Sequence, residues 1–122
     1  MNDIAPTPIT ITNLTQHNPT PDQILAGVGA PDPAVKKLLT FDELPCMSDL
    51  KERAASVAEY ACAGGIAMIG GAPYFMAPLV AALKARDVTP LFSFTERVSS
   101  ESMVDGKVIK TSEFKHIGFV HA

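Results

Sequence analysis

Ile66-Ala-Met-Ile-Gly-Gly-Ala-Pro-Tyr-Phe-Met-Ala-Pro-Leu-Val-Ala-Ala-Leu-Lys-Ala-Arg86 decides how the chain folds. Ile66 to Ile69 is a short apolar run, the pattern of a strand buried on both faces. It stops at Gly70-Gly71, where the backbone can turn tightly and approach a ligand. Met76, Leu79, Val80 and Leu83 then recur at helical spacing and make one apolar face. Two prolines leave the start of that helix open. Pro73 would open it with a bend at Pro78, or Pro78 itself begins the regular part, and an interior proline's lost ladder bond and steric clash favour the second. Asp87 to Thr89 lead into another apolar run, Leu91-Phe92-Ser93-Phe94. Strand, glycine turn, helix and strand make a βαβ unit with a right-handed crossover. Ligands in such folds sit at the carboxyl ends of the strands, so Gly70, Gly71, Ser93 and Thr95 fall on one rim.

Before this unit, Met1 to Pro8 reads as a loose arm. Ile9-Thr-Ile-Thr-Asn-Leu14 alternates at period two and forms the first strand. It ends in a polar cluster, Asn13, Thr15, Gln16 and His17, where an α/β rim belongs. Thr20-Pro21 and Asp32-Pro33 each pair a helix cap with a proline at the first helical position. They open two short helices, the first running to Val28. Ser48 is expected to cap the longest helix, to about Ala63, with Leu50, Ala54, Val57, Ala58 and Ala61 on its buried face.

After the unit, Glu96–Val104 and Lys107–Phe114 flank Asp105-Gly106, a strong two-residue hairpin signal. With those two as the loop, paired residues have numbers that sum to 211, so Glu101 faces Lys110 and Glu96 faces Lys115. Two opposite-charge pairs from one register support it. Ile117 and Phe119, facing one way, should rejoin the sheet. The whole is expected to be a single three-layer α/β domain with parallel core strands, carrying a polar hairpin over residues 96–115.

The chain has 122 residues, 47% of them hydrophobic, and a formal charge of −3. That length allows a real core. The charge argues against steering onto duplex nucleic acid. Two cysteines, Cys46 and Cys62, lack metal-ligand spacing and read as buried or idle thiols of a reducing cytosol. No signal peptide and no membrane-spanning run appear, so a cytoplasmic, membrane-free protein is expected. Neither a phosphate-binding NTPase loop nor a dinucleotide fingerprint is present. No metal-site spacing or nucleophile elbow is seen, and no cofactor is implied.

The chemistry-bearing candidates are few. The Gly70-Gly71 turn before a helix offers N–H groups and a positive dipole end to an anion, although a tight turn that merely requires glycine reads the same. Asn13, Thr15, Gln16 and His17 share its rim, and His17 reads equally as a surface histidine. Arg97, Lys115 and His116 gather at the hairpin base, a cluster suited to phosphate or a solvated face neutralised by Glu96.

Asn13-Leu-Thr-Gln-His17 with Thr20-Pro-Asp-Gln23 resembles the opening of the small CRISPR-associated Rossmann-like proteins. Thr95, Arg97, Glu101, Asp105-Gly106, Val108, Lys110, Ser112 and Phe114-Lys-His116 are similar to their terminal hairpin. The central Ile69-Gly-Gly-Ala-Pro-Tyr74 turn and Glu96 depart from the pattern. The family is related to domains that sense cyclic oligoadenylates, and several members are ring nucleases that linearise this messenger and damp antiviral signalling. The resemblance implies a Rossmann-like fold, a cyclic oligoadenylate ligand and cleavage through the ribose 2′-OH without a metal. Asn13, Thr15, Gln16, Gly70, Gly71, Ser93 and Thr95 would bind. Arg97 and Lys115 would stabilise charge, while His17 or His116 would move the proton. A ring has rotational symmetry, so a homodimer with two equal half-sites is expected. Two other readings stand beside this one: a non-catalytic nucleotide-binding module, and an interaction protein working through its hairpin.

Overall fold

The structure, a computed structural model, describes residues 9–122; the arm expected at 1–8 lies outside them. Three parallel strands, β1 (Ile11–Leu14), β2 (Ile66–Ile69) and β3 (Thr89–Val104), continue into antiparallel β4 (Lys107–His121), in the spatial order β1-β2-β3-β4. The apolar run at Ile66 is therefore an inner strand, paired on one side with β1 and on the other with β3. Helices α1 (Pro21–Leu25), α2 (Pro33–Leu38) and α3 (Met47–Ala58) lie between β1 and β2, and α4 (Pro73–Ala85) between β2 and β3.

Because side chains alternate across a strand, the sheet has two unlike faces. Leu14, Ala67, Ile69 and Phe92 face the main core, where Val35, Leu39, Leu50, Ala54, Val57, Phe75, Leu79 and Leu83 from α2–α4 and the turn after α2 meet them. The opposite face carries a smaller cluster, Ile11, Val28 and Met68, with Ile66 and Phe119 against it. A single bridge from Val28 to Ile11 extends the sheet beyond β1. Short helix α1 lies against β4. This second face also holds the buried polar residues Asn13 and His116, and the site grows from it.

The helix boundaries differ from expectation in three places. Helix α1 stops at Leu25 rather than Val28, since Gly27 adopts a φ of 106° and turns the chain toward β1. Helix α3 is capped at Cys46 and ends at Ala58. Its last turn then tightens, with Tyr60 and Ala61 donating to the carbonyls three residues back, which tucks Ala61 into the core. Helix α4 begins at Pro73, the first helical position, and Pro78 lies inside it. The proline is tolerated because Phe75, Leu79 and Leu83 on either side of it are fully buried, and their packing outweighs one lost ladder bond.

Asp105 and Gly106 have φ values of 52° and 76°, the positive pair that a two-residue hairpin turn of the primed type requires. The expected pairing, with numbers summing to 211, runs from Val104↔Lys107 through Glu101↔Lys110 and Glu96↔Lys115 to Thr95↔His116. It then shifts by one: Phe94 pairs with Gly118 and Leu91 with His121, leaving Ile117 as the extra residue of a bulge. Consequently Ile117 does not share the position of Phe119. Ile117 is exposed, whereas Phe119 packs on the smaller cluster. Both cysteines are free and exposed, not buried.

Candidate functional site

A cleft of about 310 Å³ opens at the carboxyl ends of the three parallel strands. Thr15, Gln16 and His17 after β1, Gly70 and Gly71 after β2, and Ser93 and Thr95 on β3 all line it, with Gln23 from α1 and Met68 beneath. Seven residues placed on a common rim by sequence thus share one concavity. Helix α4 begins two residues after Gly71. Its N-cap is Ala72, which offers no side-chain acceptor, in contrast to α1 and α2, capped by Thr20 and Asp32. Pro73 carries no N–H and the Phe75 N–H donates to the Ala72 carbonyl at 3.0 Å, so what the first turn offers an anion is chiefly the positive end of the helix dipole. Gly71 has a φ of 143°, a conformation that side-chain-bearing residues avoid. Gly70 is less constrained, since an added Cβ would make only ordinary contact with the Thr15 methyl.

Asn13 lies below the rim rather than on it. It is buried, and its side chain is fully engaged. Oδ1 accepts from the Thr15 N–H at 3.0 Å and the Thr15 hydroxyl at 2.7 Å, while Nδ2 donates to the carbonyls of His17 at 3.0 Å and Gly29 at 3.1 Å. Four bonds from one amide fold the post-β1 loop back on itself and present His17, whose side chain is exposed. Gln16 ties the same loop to α2 by donating to the Thr40 hydroxyl at 2.8 Å and the Lys36 carbonyl at 3.2 Å.

The hairpin-base cluster divides. The shared pairing of Thr95 with His116 puts both on the face that carries Ser93, and the Ser93 hydroxyl lies 2.6 Å from His116 Nδ1. Arg97, two residues beyond Thr95, is on that face too, and its guanidinium donates to the Ser112 hydroxyl at 3.2 Å outside the cleft. Lys115 pairs with Glu96 and so projects from the other face. The hairpin register decides this split: pairs whose numbers sum to 211 set His116 opposite Thr95 and Lys115 opposite Glu96, and the bulge at Ile117 then brings Phe119 opposite Ser93 in place of Gly118.

Sequence reasoning did not single out Gln23. Its amide is buried, receives the Thr20 N–H on Oε1 at 2.9 Å, and donates through Nε2 to the Ser93 hydroxyl at 3.1 Å. The sequence signal is Thr20-Pro-Asp-Gln23, the spacing of a capping box. That spacing shows the cap but not the bond to a strand 70 residues away. His116 also rests on the Phe119 ring, with centroids 4.6 Å apart. It lines a neighbouring open groove with Asp22, Lys115 and Gly118. Ser93 and His116 therefore connect two surface concavities.

Among the described residues, no group of three or more His, Cys, Asp and Glu side chains is placed to hold a metal ion, and no helix is long and apolar enough to cross a membrane. No curated protein and no solved structure matches the chain. A family match does cover residues 9–120, from the lead-in to β1 almost to the end of β4. The chain belongs to the uncharacterized protein MJ1673 family.

Proposed function

We propose that the protein is a small Rossmann-like, three-layer domain that binds a cyclic oligoadenylate in this cleft and linearises it, working as a homodimer. The observation that carries the reading is the convergence of Thr15, Gln16, His17, Gly70, Gly71, Ser93 and Thr95 in one cleft, with the Gly70-Gly71 turn leading into α4. A glycine turn ahead of a helix suits a phosphate. The resemblance of the chain's opening and closing segments to CRISPR-associated ring nucleases supplies the ligand class.

The cleft volume bears on stoichiometry. Small-ligand pockets span roughly 300–1,000 Å³, and at about 310 Å³ this one suits a single nucleotide unit. A ring of several such units must extend over the rim. A second copy related by a two-fold axis supplies a second cleft for it. Arg97 is on the same strand face as Thr95 and about 7 Å further along, at the usual rise per residue. Its fork can grip a phosphate of the overhanging part.

RNA carries its own nucleophile, so the protein needs only to align the 2′-oxygen with the phosphorus and to stabilise charge on the phosphate oxygens. The α4 N-terminus and Arg97 perform the second task. His17, exposed on the rim, gives a proton to the departing 5′-oxygen. Incubation with labelled cyclic oligoadenylates of different ring size, with and without chelator, tests the proposal by chromatography. A linear product ending in a 2′,3′-cyclic phosphate is expected, with no loss on chelation. Binding without turnover would reduce the protein to a sequestering module, and failure to bind any ring would refute the reading.

A further inference from the structure

We infer that Gln23 aims the Ser93 proton at His116, making Ser93 the hydroxyl that takes a proton from the ligand in the cleft. The inference rests on reading the cleft as the ligand site and names the path by which a proton leaves it. It begins from the helix cap. Gln23 Oε1 accepts the Thr20 N–H, and the Gln23 N–H returns a bond to the Thr20 hydroxyl at 3.2 Å. Reversing the amide would set its NH₂ group against the Thr20 N–H, donor against donor, so the orientation is fixed. Nε2 is then the atom 3.1 Å from Ser93 Oγ, and Ser93 must accept. Its single hydrogen is free for the other close partner, His116 Nδ1 at 2.6 Å. An Nδ1 that accepts leaves the ring proton on Nε2. Gln23 and His116 are each only 7% exposed, so water does not compete freely for these bonds.

The consequence is a directed path from cleft to groove. As the 2′-oxygen attacks, the O2′–P bond forms and the P–O5′ bond breaks. The 2′-hydroxyl proton passes to Ser93 Oγ while the Ser93 proton passes to His116 Nδ1. The resulting imidazolium releases its Nε2 proton to water in the groove that His116 lines. Once product has left, Nε2 regains a proton from that water and the Nδ1 proton leaves through Ser93 to water in the cleft, which restores the Nε2–H tautomer. The 5′-oxygen takes its proton from His17 on the rim, so charge and protons balance. Ser93 is the catalytic hydroxyl, and Gln23 is a positioning residue that acts on the reaction through its bond to Ser93.

The Gln23→Glu variant separates aim from architecture. Glutamate at this position preserves the capping box. The oxygen facing Ser93 would however accept rather than donate, drawing the Ser93 proton away from His116. Long-range proton–nitrogen correlation spectra of the histidine-labelled, ligand-free protein read the outcome. Wild type should show His116 with its proton on Nε2, and Gln23→Glu should move it to Nδ1. Should that variant not fold, Ser93→Ala provides the second test, because loss of the hydroxyl should leave His116 in mixed tautomers. An Nδ1–H tautomer in wild type, or a His116 signature unchanged by the variant that folds, overturns the relay. With labelled cyclic oligoadenylate, Gln23→Glu should lower kcat by about a hundredfold or more, the scale of general base catalysis, with KM little changed. Tautomers are read without ligand. A protein that shows the relay and cleaves no ring therefore loses only the functional reading, and one that cleaves rings without the tautomer switch loses only the relay.

Discussion

At the scale of single residues, the second sheet face depends on atoms that leave no room for substitution. Gly27 has a φ of 106°, and a Cβ there would collide with the Ile9 carbonyl oxygen. Its own carbonyl receives the Ile11 N–H at 2.9 Å, so the same residue holds α1 against the start of β1. Strained backbone of this kind costs on the order of 1–3 kcal/mol, and the steric conflict adds to it. Gly27→Ala should lower the free energy of unfolding by at least that much, while Gly29→Ala, where an added Cβ meets nothing, should not. Chemical denaturation of both variants checks the contrast. Arg97→Ala should leave stability unchanged, because its only bond is the exposed one to Ser112 among the described residues. If Arg97 holds an overhanging phosphate, however, the variant should weaken cyclic oligoadenylate binding. A lost charge-assisted contact is worth roughly 1.5–3 kcal/mol, about tenfold to a hundredfold in the titrated Kd. The rim residues were legible in the sequence because Thr15 to His17 and Gly70-Gly71 follow recognisable strand ends, and Ser93 and Thr95 fall at the end of the third apolar run. The Gln23–Ser93–His116 contacts were not, since they depend on an α1 side chain reaching a strand 70 residues away, which no local pattern encodes.

At the scale of elements, local rules and tertiary packing compete most openly in α4. Interior proline disfavours the helix that the structure nevertheless contains from Pro73 to Ala85. Phe75 and Leu79 flank Pro78 and are wholly buried, so the core holds together a turn that propensity alone would break. Pro78→Ala restores an N–H to the ladder. Proline costs about 3 kcal/mol relative to alanine inside a helix, while its loss frees the unfolded chain by about 0.4–1 kcal/mol. The net change should be stabilising, a rise of several degrees in Tm by calorimetry. An unchanged or lower Tm would mean that the helix has relaxed around the ring. The hairpin shows the opposite balance. Its turn chemistry and its Glu101–Lys110 and Glu96–Lys115 pairings were readable in advance, because cross-strand partners follow arithmetically from a two-residue loop. The one ion pair found among them, Lys110 to Glu101 at 3.8 Å, is solvent-exposed and serves register more than stability. The arithmetic stops at Ile117, where a bulge intervenes; it had already set His116 on the face of Ser93, and the bulge adds Phe119 opposite Ser93.

At the scale of the whole molecule, β3 and β4 outrun the sheet. Parallel pairing with β2 stops at Phe92, yet the ribbon continues to the turn at Asp105-Gly106. Two strands without a covering layer are marginal in water. Here the ribbon displays Met103, Val104, Val108 and Ile109 to solvent, and Phe94 and Ile117 are more than half exposed at its base. A ribbon so uncovered should open far more often than β1 and β2, unless a second copy packs on it. The proposed homodimer makes that second case specific, since a ring too large for one cleft needs a facing one. Amide hydrogen exchange at two protein concentrations distinguishes the cases. Protection over residues 97–112 should increase with concentration in parallel with the mass seen by light scattering, while protection in β1 and β2 stays constant. Fast exchange in the ribbon at every concentration, with a monomeric mass at tens of micromolar (about the range in which ordinary interfaces form), would leave each cleft to act alone. The ligand would then have to be a single nucleotide unit, not a ring.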